Sequence, residues 1–162
     1  MSNLKPDPLR DGVDHINVYS KGRTELGRLL SNFAQTPFDC IDGHFESVEG
    51  YWYWLLAVKE PVNRELERLR SLHGFEAKRV GKEIENIDRT RPVTREFREC
   101  IYNAFAAKLK ANPRVQELLK ASTLPFKHYY VYERGVQVLP EFDWLMVYWE
   151  NLRDEAQGSE SI

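Results

Sequence analysis

Glu49 is the residue around which chemistry could be built. It lies in Ser47-Val48-Glu49-Gly50, directly ahead of Tyr51-Trp52-Tyr53-Trp54. The carboxylate therefore opens an aromatic-walled segment. Aromatic rings that displace water from a carboxyl raise its pKa towards the range where it exchanges protons near neutrality. The plainer reading is a surface glutamate stabilising a helix dipole, worth a few tenths of a kcal/mol. Helical spacing argues against it by putting Glu49 on the side of Trp52 and Tyr53, in a helix apolar on nearly every face. The second group is the basic series Lys78, Arg79, Lys82, Arg89, Arg91, Arg95 and Arg98. Such a run is ordinarily a solvated face, and Glu76, Glu83, Glu85, Asp88, Glu96 and Glu99 interleave with it. Within it, Arg79, Gly81 and Lys82 form a phosphate-sized subset, because glycine permits close approach of a ligand. The third group is Tyr129, Tyr130, Tyr132, Glu133 and Arg134. Alternating tyrosines chiefly pack sheets, but this edge could also offer a second carboxylate or a ring for stacking a base.

The elements that must position these groups follow from local patterns. His15 to Tyr19 alternates polar and apolar, as a short strand with one buried face does. Gly22 and Gly27 bracket an expected loop before Leu29. Phe38 to Phe45 reads as a hairpin reversing at Asp42-Gly43. Ser47 supplies a helix cap, and the helix runs from Val48 to about Val58. Pro61 opens a second helix ending near His73-Gly74, and a shorter one follows from Phe75 to about Lys82. Thr94 caps a long helix through Phe97, Ile101, Ala104, Phe105 and Leu109, and Asn112-Pro113 ends it while starting another. His128 to Tyr132 reads as a strand, and Glu141 to Asp154 as a closing helix with Phe142, Leu145, Trp149 and Leu152 on one stripe. The expected fold class is α+β: a helix-rich single domain with a small sheet of short, mostly antiparallel strands. Residues 1–14 are expected as a flexible arm, 15–156 as the domain and 157–162 as a disordered tail.

Composition narrows the setting. The 162 residues are 42% hydrophobic and 30% charged with a formal charge of −2, a balance compatible with a one-sided basic face. No apolar run approaches the roughly 20 residues of a spanning helix, and the first ten residues lack a signal-peptide core. Cys40 and Cys100 lie far apart and form no metal-ligand spacing, so a reduced, cytoplasmic protein is expected. His15, His44, His73 and His128 share no helical spacing. No Gly-rich phosphate loop, Ser-His-Asp signature or zinc motif is present, and no metal or cofactor is expected.

With these residues in place, the chain resembles the NADAR superfamily, the YbiA-like fold. The resemblance is carried by Ile16-Asn17-Val18-Tyr19-Ser20, by Leu30-Ser31-Asn32-Phe33 with Pro37-Phe38, and by Asp42-Gly43. It continues through Ser47-Val48-Glu49 and Ala77-Lys78-Arg79-Val80-Gly81-Lys82, and the helices from Phe97 to Thr123. It spans about residues 15 to 155, and the order and spacing of the motifs make it specific. It differs at Gly50, where the family usually has histidine, and in having no clean match to a later Trp-x-Asp pair.

The resemblance implies a hydrolase of N-glycosidic bonds in ribosides. Its substrates would be a ribosylamino-pyrimidine phosphate of riboflavin synthesis or an ADP-ribosylated guanine in nucleic acid. It places the catalytic carboxylate at Glu49. Breaking a C1′–N bond builds positive charge on the ribose, which a fixed carboxylate stabilises while orienting or deprotonating water. The expected site adds Glu133 as an acid, with Trp52, Tyr132 or Trp144 to stack the base. Asn17, Ser31, Asn32, Arg79 and Lys82 would bind phosphate, and Tyr19, Phe33 and Gly81 complete the substrate-binding set. The partner is a small nucleotide-like molecule or ADP-ribosylated nucleic acid, not a membrane. Two alternatives stand beside the enzyme: a non-catalytic ADP-ribose-binding module, and a nucleic-acid-processing form using the basic residues from Lys78 to Arg98.

Overall fold

The computed structural model describes residues 5–59, 64–84 and 87–158. The chain divides into two compact units, one of Asn32–Pro113 and one of Met1–Ser31 with Arg114–Ile162. Helices and short strands, mostly antiparallel, give a helix-rich α+β fold.

The Asn32–Pro113 unit begins with a hairpin, β2 (Phe38–Cys40) against β3 (Gly43–Phe45). The sequence placed the reversal at Asp42-Gly43. It falls one residue earlier, at Ile41-Asp42, with Cys40 paired to Gly43. Gly43 takes φ +106, and a Cβ there would meet the Arg70 guanidinium at 2.6 Å. Helix α2 (Val48–Leu56) follows, capped as expected by Ser47, whose hydroxyl accepts from the Gly50 N–H at 3.0 Å. The same hydroxyl donates to the Leu72 carbonyl at 2.8 Å, so the cap also fixes the helix start to a distant segment. The second expected helix is shorter than its pattern suggested. Pro61 lies outside the described residues, and Arg64–Arg68 (α3) gives way to a 3-10 turn at Leu69–Ser71. Helix α4 spans Gly74–Glu83 and helix α5 spans Arg95–Ala111 with Thr94 as its cap. Phe97, Ile101, Ala104 and Phe105 turn one stripe of α5 into the core.

The other unit holds β1 (Ile16–Asn17) parallel to β4 (Phe126–Lys127), and the antiparallel ribbon of β5 (Tyr129–Tyr132) and β6 (Gly135–Val138). Helix α6 begins at Pro113 and ends at Ala121, and α7 spans Asp143–Gly158. Four features depart from the sequence pattern. The stretch expected as a loop between Gly22 and Gly27 becomes helix α1 (Glu25–Leu30), capped by Thr24. Gly27 is there for packing, since a Cβ would stand 2.3 Å from the Asn17 carbonyl. Strand β6, which has no strong alternation, pairs because the two-residue turn at Glu133-Arg134 returns it to β5. Gln157, placed in the tail, lies in α7 and its amide donates to the Lys120 and Ser122 carbonyls. In the segment placed in the arm, Asp11 is buried, accepting from the backbone N–H groups of Asn17 and Arg23.

Asn17 ties this unit together. Its amide donates to the Tyr129 carbonyl at 3.0 Å and accepts from the Tyr129 N–H at 3.1 Å, acting as a one-residue strand along β5. Asn17→Ala strands both buried backbone groups, and a loss of about 2–3 kcal/mol in urea unfolding is expected.

Candidate functional site

The Asn32-Phe33 segment fixes two helix starts at once. The Glu49 N–H donates to the Asn32 carbonyl, and the Gly74 N–H donates to the Phe33 carbonyl, each at 2.9 Å. The first turns of α2 and α4 are thus bound to one short stretch of chain. Gly74 meets this geometry with φ +59.

Glu49 sits in the first turn of α2 and keeps only partial access to solvent. Among the described residues, no hydrogen bond or ion pair holds its carboxylate. Burial pushes its pKa up to about 7, against the opposing pull of Lys78 and then Lys82. Desolvation therefore outweighs the two cations and the helix dipole, both of which favour the charged form. The surface-glutamate reading does not fit a carboxyl so placed. Lys78 and Lys82 are one turn apart on α4 and share a face. Lys78 is half-buried with its ammonium 5.9 Å from the Phe33 ring centroid, and Lys82 is exposed. Trp52 packs edge-on against Phe97 at 4.8 Å.

Two of the expected ligand-binding residues in this unit serve other purposes. Arg79 faces outward in ion pairs with Glu76 at 2.8 Å and Glu83 at 3.4 Å. Its partners were visible in the sequence at i−3 and i+4, and they fit the solvated-face reading. Gly81 makes room for protein rather than ligand, because a Cβ there would run into the Tyr53 ring at 2.2 Å. Lys78, rather than Arg79, shares the Lys82 face of α4, an i, i+4 spacing visible in the sequence.

Asn17, Tyr19, Ser31, Tyr132, Glu133 and Trp144 belong to the other unit. The Asn17 amide is occupied at both ends by Tyr129. Ser31 is buried at the end of α1. Glu133 is exposed in the β5–β6 turn. Tyr132 is 55% exposed and its hydroxyl donates to Gln137 at 3.3 Å. Tyr19 lies 5.6 Å from Tyr130, and Trp144 lies edge-on to Tyr148 at 5.4 Å. Among the described residues, no group of three or more His, Cys, Asp or Glu side chains could hold a metal ion. No helix among them is long and apolar enough to cross a membrane.

The fold is of the YbiA-like kind, helix-rich α+β with short strands. The NMR structure of the E. coli protein YbiA is similar to this chain with a TM-score of 0.66 at 18% identity, over 91% of this chain and 87% of that one. No protein-family model and no curated protein matches the sequence.

Proposed function

We propose that the protein hydrolyses the N-glycosidic bond of a phosphorylated riboside or an ADP-ribosylated nucleobase, with Glu49 as the essential carboxylate. The observation that supports this most is the state of Glu49, partly desolvated and unbonded among the described residues, with a pKa of about 7. A carboxyl tuned to neutrality is suited to base catalysis at physiological pH. As the C1′–N bond breaks, its electron pair leaves with the base, which takes up a proton from solvent, balanced by the proton that Glu49 takes from the attacking water and returns to solvent. The ionised Glu49 stabilises the positive ribosyl carbon and accepts the proton of the water that attacks it. Lys78 and Lys82 supply donors for the phosphate on the same face of α4.

A polynucleotide-tracking version fits less well. Arg79 and Arg95 are paired with glutamates, and Arg91 and Arg98 donate to the Leu55 and Pro92 carbonyls. Most of the basic series is thus spent on its own chain.

The protein is incubated with a ribosylamino-pyrimidine phosphate or ADP-ribosylated guanosine, and free base is followed by mass spectrometry. Glu49-dependent release supports the proposal; saturable binding with no product supports the non-catalytic module instead. Replacing both lysines, Lys78→Met with Lys82→Met, is expected to raise KM about 10-fold through lost charge-assisted hydrogen bonds. It also removes the cations that favour the carboxylate, so the acid limb of kcat/KM moves to higher pH.

A further inference from the structure

We infer that the β5–β6 ribbon carries a nucleobase-stacking corner formed by Tyr130, Tyr132, His128 and Gln137. Strand alternation places His128, Tyr130 and Tyr132 on one face of the ribbon. Their rings stand edge to face: His128 to Tyr130 at 5.6 Å and 86°, Tyr130 to Tyr132 at 6.3 Å and 81°. Tyr19 closes on Tyr130 from β1's side at 5.6 Å. Sheet packing does not account for the outer ring. Tyr132 is 55% exposed, and on the opposite face its neighbour Val131 is 39% exposed, so the turn end of the ribbon is solvated on both sides. A planar ligand lying on Tyr132 would meet the neighbouring ring edge-on, the arrangement aromatic quadrupoles favour.

The polar groups at the corner suit a heterocycle. Gln137 pairs with Tyr130 across the ribbon, and its carbonyl accepts from the Tyr132 hydroxyl, which leaves its NH2 group as a donor. The Nδ1 of His128 donates to the Val18 carbonyl at 2.7 Å, leaving Nε2 as an acceptor in the neutral ring. Burial lowers the His128 pKa and keeps that ring neutral, against a hydrogen bond to Val18 and the charges of Asp143 and Glu141. One donor and one acceptor beside an open ring face match the edge and plane of a purine or pyrimidine. The corner takes its ligand class from the N-glycosidase reading, but its geometry lies wholly within the ribbon's unit and is tested separately.

Guanosine 5′-monophosphate, uridine 5′-monophosphate and base-free ribose 5-phosphate are titrated into isotope-labelled protein and followed by NMR. Both nucleotides should move the Tyr132, Gln137 and His128 signals, and ribose 5-phosphate should not. Tyr132→Ala should weaken nucleotide binding about 5- to 150-fold, the range for losing one stacked base, while Tyr132→Phe keeps it. Nucleotide binding unchanged by Tyr132→Ala, or no nucleotide-induced shift at these residues, overturns the inference. Glu49-dependent turnover without nucleotide-induced shifts at Tyr132, Gln137 and His128 would overturn the corner and leave the glycosidase standing. Base binding at Tyr132 without any product would do the reverse.

Discussion

Glu49→Gln is expected to lower turnover by about 10²- to 10⁴-fold, the usual worth of a positioned base and of charge placed at a developing cation. Glutamine keeps the size and the helical backbone but cannot accept the proton of water or oppose the ribosyl charge. KM should move little, because the carboxylate acts chiefly in the transition state. Stability should move in the opposite sense. The folded pKa of about 7 lies above the ordinary value of 4.5. Glu49 therefore contributes stability below about pH 4.5, and that contribution is lost as pH rises through about 7. Above neutrality Glu49→Gln should be the more stable protein by about 1–3 kcal/mol, with the gap closing in acid, as urea unfolding at several pH values would show. A variant that loses activity while gaining stability identifies a group held under strain for function.

The second large effect lies one residue away. Gly50→His, which introduces the histidine usual in the family the sequence resembles, is expected to destabilise the protein by about 3–5 kcal/mol. Helix α2 rests on the 3-10 turn so closely that a Cβ at Gly50 would stand 2.3 Å from the Leu69 carbonyl and 3.4 Å from that of Leu72. Those are backbone atoms, and Ser47 fixes the approach through its bond to Leu72. They cannot swing aside as a side chain would. Gly50→Ala should already cost much of this, which separates the clash from any property of imidazole. Circular dichroism melts of the two variants provide the comparison.

The parts of the fold readable from the chain are those encoded over a few residues. The Ser47 cap, the Thr94 cap with its apolar stripe, the Asn112-Pro113 junction and the hairpin around Asp42 each carry their signal locally. Helix α1 was hidden because Gly27 reads as a loop residue when its reason is the Asn17 carbonyl, ten positions back. The desolvated setting of Glu49 was legible from its place ahead of four aromatic residues. Arg79 reads as a phosphate ligand beside Gly81, yet Glu76 and Glu83 at i−3 and i+4 neutralise it. The duties of Asn17 and Gly81 depend on Tyr129 and Tyr53, far along the chain, and no local pattern announces such contacts.

Titrating the Glu49 side chain by carbon-13 NMR tests the account most directly, since every step of the proposed reaction rests on where that proton leaves. A midpoint near 7 that rises when Lys78 and Lys82 are replaced is the predicted result. A midpoint near 4.5 that ignores both lysines would contradict it.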